Sequence, residues 1–352
     1  MEATPAISAT PPPRPRAAIR RFPRRATARG LTPWAVLTAL TLTATGCVTV
    51  HGEREIIPAA TKAEADRALG DFLTAYNKAD RANDPALDED RVTGALGAID
   101  QAGLRARRSI DPDGDPNRSP LELTDRRFTV PKMAGWPKFF LADTDSNRDQ
   151  DTDKSKDTRW VLAFTRVGPD AGWKAAYLTV MSPGQIPEFR TDGDGLASAV
   201  PVRDKELAVP PAELSERYAT YLDKGGPAFA PGPHTTDWRD ERRRGATRPG
   251  LSRQYIDQPL GDGAYAPLGL RTEDGGALVF FATRHYEKQT AAKGRDLRLE
   301  PPVRALVRGA VKQSVTLERT SNQAVRVPVR GASGGGVLVL SRIQGLTGAK
   351  GD

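Results

Sequence analysis

The sequence predicts an α+β protein of two domains, each with amino-terminal helices packed on a curved antiparallel sheet. Helical apolar spacing occurs twice, after residues 61 and 212, and both times short β-branched and aromatic runs follow it. Helices followed by a group of strands are typical of α+β layers. We therefore predict domain 1 at 61–202, a linker at 203–211 and domain 2 at 212–352. The repeated order leaves a diverged duplication open.

Residues 1–46 have the composition of a secretory signal peptide. Seven arginines against one glutamate give residues 1–30 a charge of +6, and residues 31–50 contain no charged side chain. A positive segment, an apolar segment and a small-residue exit are the three parts of such a signal. The Arg20-Arg21 pair leaves the export route open between the general secretory and the twin-arginine pathway.

Cys47, the only cysteine of the chain, follows Ala44-Thr45-Gly46. This ending resembles the bacterial lipobox, with Ala44 at the usual leucine position, and the chain resembles uncharacterised actinobacterial envelope lipoproteins. The resemblance implies cleavage after Gly46, diacylglycerol on the Cys47 sulfur and acylation of the new amino terminus. An uncleaved signal-anchor is an alternative, although six threonines make the stretch a poor permanent span. An incidental buried thiol is another.

The leader also accounts for most of the charge of the chain. The whole chain carries +8, so removing residues 1–46 leaves +2 on the remaining 306 residues. The basic balance therefore gives no indication of nucleic-acid binding. Because no cysteine follows Cys47, the exported part has no intramolecular disulfide and depends on packing. Residues 47–60 are short and mixed, which predicts a lipidated tether.

Domain 1 is predicted to begin with helices. Thr61 and Glu64 have the spacing of a capping box, in which side chains satisfy free amides at a helix start. One apolar stripe follows it: Leu69, Phe72, Leu73 and Tyr76. Apolar residues between 87 and 104 indicate one or two further helical pieces. Between 128 and 181 the pattern changes to strand-like runs, with a hairpin-type loop at 168–172.

Domain 2 repeats this order. Pro210-Pro211 opens a helix that Gly225-Gly226 ends. The predicted apolar face of this helix consists of Leu214, Tyr218, Tyr221 and Leu222. Residues 265–283 form the clearest hairpin of the chain. Strand-like runs between 315 and 343 complete the predicted sheet.

The order of elements in each half resembles that of nuclear-transport-factor-like proteins. In that family helices pack into a curved antiparallel sheet to make a cone-shaped domain. The resemblance implies two such domains in tandem, each enclosing a pocket. No sequence motif accompanies it.

Few residues of the sequence indicate a catalytic or metal-binding site. The histidines His51, His234 and His285 are isolated from one another, whereas metal sites usually recruit histidines in pairs at short spacing. We place His51 in the tether, His234 in a loop and His285 at a strand end. We predict no catalytic residue, no metal site and no cofactor.

Two glycine-rich matches are read as coincidences. Residues 331–335 fit the Gly-x-Ser-x-Gly pattern around Ser333, but a strand-like run follows and no histidine comes later. Residues 261–266 fit a loose dinucleotide fingerprint, but Pro267 stands where the phosphate-binding helix should run. Both stretches are predicted to be loops.

Two charged stretches are read as solvated surface. Acidic residues and an asparagine alternate between 143 and 151, as in a calcium loop, but Arg148 and Lys154 replace the glycine and glutamate that such a loop needs. Weak calcium contact is the alternative. Five arginines lie between 239 and 248 among acidic residues. Contact with anionic lipid headgroups or wall polymers is the functional alternative for them.

We therefore expect a lipid-anchored lipoprotein at the extracytoplasmic face of the cell membrane, acting as a non-catalytic binding or assembly module of the envelope. Its partners would be the membrane, through the lipid on Cys47, and an envelope protein, polymer or small ligand. An envelope enzyme with a pocket in one α+β domain is the alternative. A histidine and an acid, or paired carboxylates, converging on one cavity would favour the enzyme.

Overall fold

A computed structural model describes residues 55–150, 152–332 and 335–352. The predicted signal peptide, most of the tether, Cys47, His51 and Ser333 lie outside the described residues. The described part contains both helices and antiparallel sheets, so the α+β class is confirmed. No helix in the described ranges is long and apolar enough to cross a membrane.

The described residues contain five α-helices and fourteen strands. The helices are α1 (Lys62–Ala82), α2 (Gly94–Ile110), α3 (Leu214–Lys224), α4 (Thr236–Gly245) and α5 (Pro301–Leu306). The strands of the first half are β1 (Ile56–Pro58), β2 (Leu123–Thr129), β3 (Pro131–Ala134), β4 (Lys138–Ser146), β5 (Arg159–Arg166), β6 (Lys174–Met181) and β7 (Ala197–Ser198). Those of the second half are β8 (Thr247–Arg248), β9 (Leu251–Leu260), β10 (Leu268–Arg271), β11 (Ala277–Ala291), β12 (Val307–Arg308), β13 (Ser314–Val327) and β14 (Leu338–Gly351).

The strands form three sheets. A small sheet has the order β1-β3-β7, and a four-stranded antiparallel sheet has the order β2-β4-β5-β6. The large sheet of the second half has the order β12-β14-β13-β11-β9-β8, with β10 paired to β11. Its central strands are all antiparallel, and β12 alone pairs in parallel. Strand β9 and the short β8 form one edge of this sheet.

The predicted capping box starts α1. The amide of Glu64 donates to Thr61 Oγ1 at 3.1 Å, and the amide of Thr61 donates to Glu64 Oε2 at 2.8 Å. The helix ends at Asn83, whose left-handed φ of 49° stops the helical bonding. The buried face of α1 packs on the four-stranded sheet, where Phe72 meets Phe164 edge-on at 5.9 Å. Burial of such aromatic side chains stabilises the first half.

Other predicted elements are confirmed with changed lengths. Helix α3 ends before Gly225, whose φ of 76° favours glycine. The β10–β11 hairpin has its turn at 272–276, and β5 and β6 flank the predicted loop at 168–172. Strands β13 and β14 are longer than the sequence indicated. The basic stretch after 236, for which the sequence analysis predicted only a solvated surface, forms helix α4.

The two larger sheets share one hydrophobic core. Phe139 and Leu141 of β4 lie in the same buried cluster as Leu278 and Phe280 of β11. The Nδ2 group of Asn322 also donates to Leu178 O at 2.7 Å, which joins β13 to β6. These contacts fix the position of the large sheet against the four-stranded sheet of the first half.

Residues 203–211 are packed rather than free. Leu207 and Val209 are buried, and the amide of Ala208 donates to Pro328 O at 2.8 Å. The domain division at 203–211 stays a prediction, as does the duplication of the two halves.

The alternation of β11 positions the candidate site. The odd-numbered side chains Ala277, Val279 and Phe281 are buried among residues of α3. The same face continues with polar residues, of which His285 is the central one, because successive side chains of a strand alternate between faces. Helix α4 lies over this polar part, with Trp238 buried against His285.

Candidate functional site

Three polar side chains on neighbouring strands form a hydrogen-bonded row. His285 on β11 lies directly opposite Asp257 on β9, and its Nδ1 is 2.5 Å from Asp257 Oδ1. Its Nε2 is 2.6 Å from Oγ of Ser321 on β13. A carboxylate only accepts hydrogen bonds, so we assign the proton to Nδ1 and the donor role at Nε2 to the serine hydroxyl.

The side chains of this row are buried. Ser321 is 0% exposed and His285 is 3% exposed. Burial lowers the pKa of His285 from its ordinary value, in spite of the opposing effect of the hydrogen bond that it donates to Asp257. The imidazole is therefore neutral at neutral pH, in agreement with the assigned protons.

Arg242 of α4 closes the row at its acidic end. Two of its nitrogens donate to the two oxygens of Asp257, at 2.8 and 3.1 Å. Burial alone would raise the pKa of Asp257, but the hydrogen bonds from His285 and Arg242 hold it below its ordinary value. A buried, doubly hydrogen-bonded arginine–carboxylate pair of this kind fixes α4 on the sheet.

Trp238 holds two guanidinium groups against its ring. The Cζ atom of Arg242 is 3.7 Å from the ring centroid, and Cζ of Arg342 on β14 is 3.5 Å from it. The ring edge also meets His285 at 5.1 Å. Arg342 donates to Gln344 Oε1 at 2.6 Å, and burial lowers the pKa of its guanidinium. Cation–π contacts of desolvated guanidinium groups are among the stronger of their kind.

The row has the connectivity of a serine hydrolase triad, in which an acid orients a histidine that hydrogen-bonds a serine. Such a site also needs an accessible serine and donors for the oxyanion. Here the Ser321 hydroxyl also lies 2.6 Å from Nε2 of Gln323 and 3.4 Å from Thr283 O, inside the sheet. In this arrangement the row connects strands and helix, and it offers no nucleophile to a substrate.

An open cleft of about 620 Å³ lies beside the row, between α3, α4 and β9. Its volume falls in the range of ligand sites. Its charged lining residues carry both signs: Glu216, Asp223, Lys224, Arg239, Arg242, Arg243 and Asp257. Tyr255, Ile256 and Pro259 of β9 line the same cleft.

The edge of β9 faces this cleft with backbone groups. Strand β8 pairs only with residues 251–252 of β9. Beyond them, the amide of Arg253 points away from β11, since it donates to Ala246 O at 2.6 Å. Backbone groups alternate in direction along an antiparallel strand, so those of Tyr255 and Asp257 also point away from β11. The structure thus presents a short open strand edge inside a charged cleft.

A smaller cavity of about 200 Å³ lies on the other side of Arg242, and His285 is among its lining residues. Glu287 bridges two of the other lining residues, Arg253 at 3.1 Å and Arg319 at 2.9 Å. His285 and Asp257 therefore line different cavities, whereas Arg242 lines both; the acids that share the smaller cavity with His285 are Glu241 and Glu287.

The acidic stretch after residue 143 is organised around an arginine. Arg159, with its side chain 5% exposed, donates to Asp143 at 2.5 Å, to Asp145 at 2.7 Å and to Asp125 at 2.8 Å. Asp143 and Asp145 belong to strand β4, so the prediction of a loop is wrong for them, although Asp145 is exposed as expected. Asp149 accepts from the amide and hydroxyl of Thr158, both at 2.7 Å. Within the described ranges no group of acidic, histidine or cysteine side chains is arranged to hold a metal ion.

The other residues named in the sequence analysis do not come together in one site. His234 lies in a loop as predicted, and its carbonyl accepts from the Tyr218 hydroxyl at 2.5 Å. The prediction that His285 lies at a strand end is wrong, because it is inside β11. Arg243 and Arg244 are exposed as expected, whereas Arg242 is largely buried in the row. Residues 261–266 form a loop with one short 3-10 turn and no phosphate-binding helix.

Only the parity of positions along β11 indicates part of the row from the sequence. His285 lies an even number of residues after Ala277, Val279 and Phe281, which places it on the same face of the strand. The partners of His285 lie 28 and 36 residues away in the chain, at Asp257 and Ser321. Pairing at such distances depends on strand register, which spacing does not reveal.

The described residues form an α+β protein, and the sequence before them predicts a lipoprotein. Comparison with known proteins is more specific: the chain belongs to the family described as a domain of unknown function, DUF8094, which matches residues 56–351. An uncharacterized lipoprotein of Streptomyces coelicolor is 55% identical over 90% of this chain and 93% of its own length.

Two further relatives bear the same kind of name. An uncharacterized lipoprotein of Streptomyces avermitilis is 52% identical over 95% of this chain and 97% of its own length. A second Streptomyces coelicolor lipoprotein is 25% identical over 83% of this chain and 87% of its own length. These relatives support the prediction of an actinobacterial lipoprotein. No solved structure matches, so the resemblance to nuclear-transport-factor-like cones stays a prediction.

Proposed function

We propose that this lipoprotein is held at the extracytoplasmic face of the cell membrane by lipid on Cys47 and binds an extended peptide segment of an envelope partner. The binding site is the cleft between α3, α4 and the edge of β9. The observation that carries the proposal is the open backbone edge at Tyr255 and Asp257 inside a cleft of about 620 Å³. The module is non-catalytic.

The edge supports a peptide ligand because of its backbone geometry. Unpaired N–H and C=O groups on a strand edge are templates for a further strand, and several peptide-binding domains use them in this way. Proteins usually protect such edges, and here β8 covers only residues 251–252. Pro259 ends the run of available donors because proline has no amide hydrogen. The edge therefore suits a segment of a few residues.

The lining supports a segment with charged side chains. Glu216 and Asp223 of α3 line the cleft together with Arg239 and Arg243 of α4. A peptide strand places successive side chains on opposite sides, so one set can meet acids while the other meets arginines. Charges of both signs contribute more to selection among partners than to raw affinity.

The proposal is tested by hydrogen–deuterium exchange on the mature protein in detergent. The probe is an end-capped heptapeptide in which threonine alternates with lysine or glutamate. At about 1 mM, where binding free energies beyond roughly −4 kcal/mol are detected, the peptide should slow exchange in residues 251–260. No slowing in that segment would contradict the proposal.

Two modified peptides supply the matched control. Each has N-methyl groups on one of the two alternating sets of amides, so that only one set can still donate to the edge. We expect one version to bind like the parent and the other to fail. Equal binding by both versions would mean that the peptide does not add to the strand edge.

A hydrolase is the second candidate function, and the Ser321–His285–Asp257 row is the observation that favours it. It requires α4 to move away, because Ser321 is 0% exposed. A fluorophosphonate probe labels an activated serine covalently. We expect no labelling of Ser321 in the mature protein; labelling that is lost in both Ser321→Ala and His285→Gln would establish the hydrolase instead.

A further inference from the structure

Four large apolar side chains of the first half of the chain are exposed. They are Ile56 at 66%, Ile57 at 39%, Trp136 at 40% and Val167 at 75% exposure. We call these four residues the β1 patch. Single exposed apolar residues are ordinary on protein surfaces, but a contiguous group marks an interaction site.

Strand pairing places β1 close to the chain around Trp136. In the β1–β3 pair Ile56 lies opposite Ala134, which is two residues before Trp136. The Nζ atom of Lys138 donates to Pro58 O at 3.2 Å and lies 5.3 Å from the centre of the Trp136 ring. Lys138 therefore connects β1 to the tryptophan.

Arg166 places the indole close to the loop that begins at Val167. The Cζ atom of Arg166, the residue before Val167, is 5.5 Å from the Trp136 ring centroid. Arg166 also donates from Nε to Ala171 O at 2.7 Å, which fixes its position. Cations on the ring hold Trp136 at the surface instead of allowing it to fold into the core. The indole of tryptophan, apolar with one polar N–H, suits a membrane–water interface.

The position of the patch in the chain indicates its occupant. Ile56 follows Cys47 by nine residues, which span at most about 30 Å when fully extended. A surface tethered at this distance meets the membrane as an intramolecular event, at high effective concentration. Weak apolar insertion is then sufficient, because the lipid already prevents departure.

We propose that the β1 patch inserts into the interface of the same membrane that holds the Cys47 lipid. This inference rests on the proposed lipid anchoring. It assigns the protein an orientation: β1, Trp136 and the loop at Val167 contact the bilayer, and the chain lies on the membrane instead of extending from it on a mobile tether.

The test uses the mature lipidated protein in vesicles of phosphatidylglycerol and phosphatidylcholine, prepared with and without bromine on the acyl chains. Bromine quenches tryptophan fluorescence only on close approach. We expect quenching in the brominated vesicles that disappears in Trp136→Phe and persists in Trp160→Phe, whose indole packs in the core of the first half. The double change Ile56→Ser/Ile57→Ser should reduce the quenching at least twofold.

Vesicle flotation separates the two ways in which the experiment can fail. If the protein carries no fatty acid and does not float with the vesicles, the proposed anchoring is wrong. If it floats but brominated and plain vesicles give equal fluorescence, the anchoring stands and the insertion of the β1 patch is overturned. Quenching that survives in Trp136→Phe would also overturn it.

Discussion

Nδ1 of His285 lies 2.5 Å from Oδ1 of Asp257, across two paired strands and beneath helix α4. The carboxylate receives this hydrogen bond and two more from Arg242, so one buried acid joins β9, β11 and α4. The pair explains why a polar row is tolerated inside the sheet: each charge has a partner.

Replacement of Asp257 should therefore destabilise the protein strongly. In Asp257→Ala the guanidinium of Arg242 loses its buried partner, and breaking such a pair costs roughly 3–5 kcal/mol. Urea unfolding measures the free energy. The control is Asp240→Ala, which removes the exposed partner of Arg243 and should cost less than about 1 kcal/mol. Equal losses of unfolding free energy in the two variants would contradict the role of Asp257 in holding α4 on the sheet.

Asp88 should make stability fall as the pH rises. Burial, followed by the neighbouring carboxyl of Asp100, raises the pKa of Asp88 from 3.8 to about 8. A raised carboxyl pKa means that the folded state favours the protonated form, so its stabilising effect is complete below pH 4 and lost as the pH rises through about 8.

Thermal unfolding at several pH values tests this prediction. The wild-type melting temperature should decline between pH 4 and pH 8 more steeply than that of Asp88→Asn, in which the ionisation is removed. Gln101 donates from Nε2 to Asp88 Oδ1 at 2.6 Å, and the asparagine carbonyl can still accept this bond. Parallel pH profiles for the two proteins would show that Asp88 does not titrate in this range. Asp100, whose pKa burial also raises, would then be the next group to replace.

Calcium should leave the melting temperature unchanged. Arg159 already supplies the positive charge among Asp125, Asp143 and Asp145. A calcium site filled to a hundredfold over its Kd would add about 2.7 kcal/mol, which a thermal scan resolves. A saturable rise at millimolar calcium that vanishes in Asp143→Asn/Asp145→Asn would contradict this prediction.

Cys47 should be the site of lipid attachment. Labelled palmitate is expected to enter the protein, and Cys47→Ser should abolish the label and release the protein from membranes. Because the chain has no other cysteine, the variant removes every thiol. A label retained in Cys47→Ser would exclude the lipobox interpretation.

The local elements of this fold follow from the sequence. Thr61 and Glu64 start α1 as a capping box, and the glycine turn near 275 sets the β10–β11 hairpin. These features depend on neighbours within a few residues, where backbone geometry and side-chain capping decide the structure. The leader and Cys47 are likewise local signals, and they predict the lipoprotein class independently of the fold.

Only the tertiary structure decided where the polar side chains meet. Arg242, predicted as solvated, reaches Asp257 because α4 lies on the sheet, and Arg159 reaches three aspartates because β5 pairs with β4. Strand register and sheet order bring residues tens of positions apart into contact, and a shift of one residue would turn His285 to the other face. Long-range packing sets that register, so the row, the open edge of β9 and the β1 patch are properties of the folded chain alone.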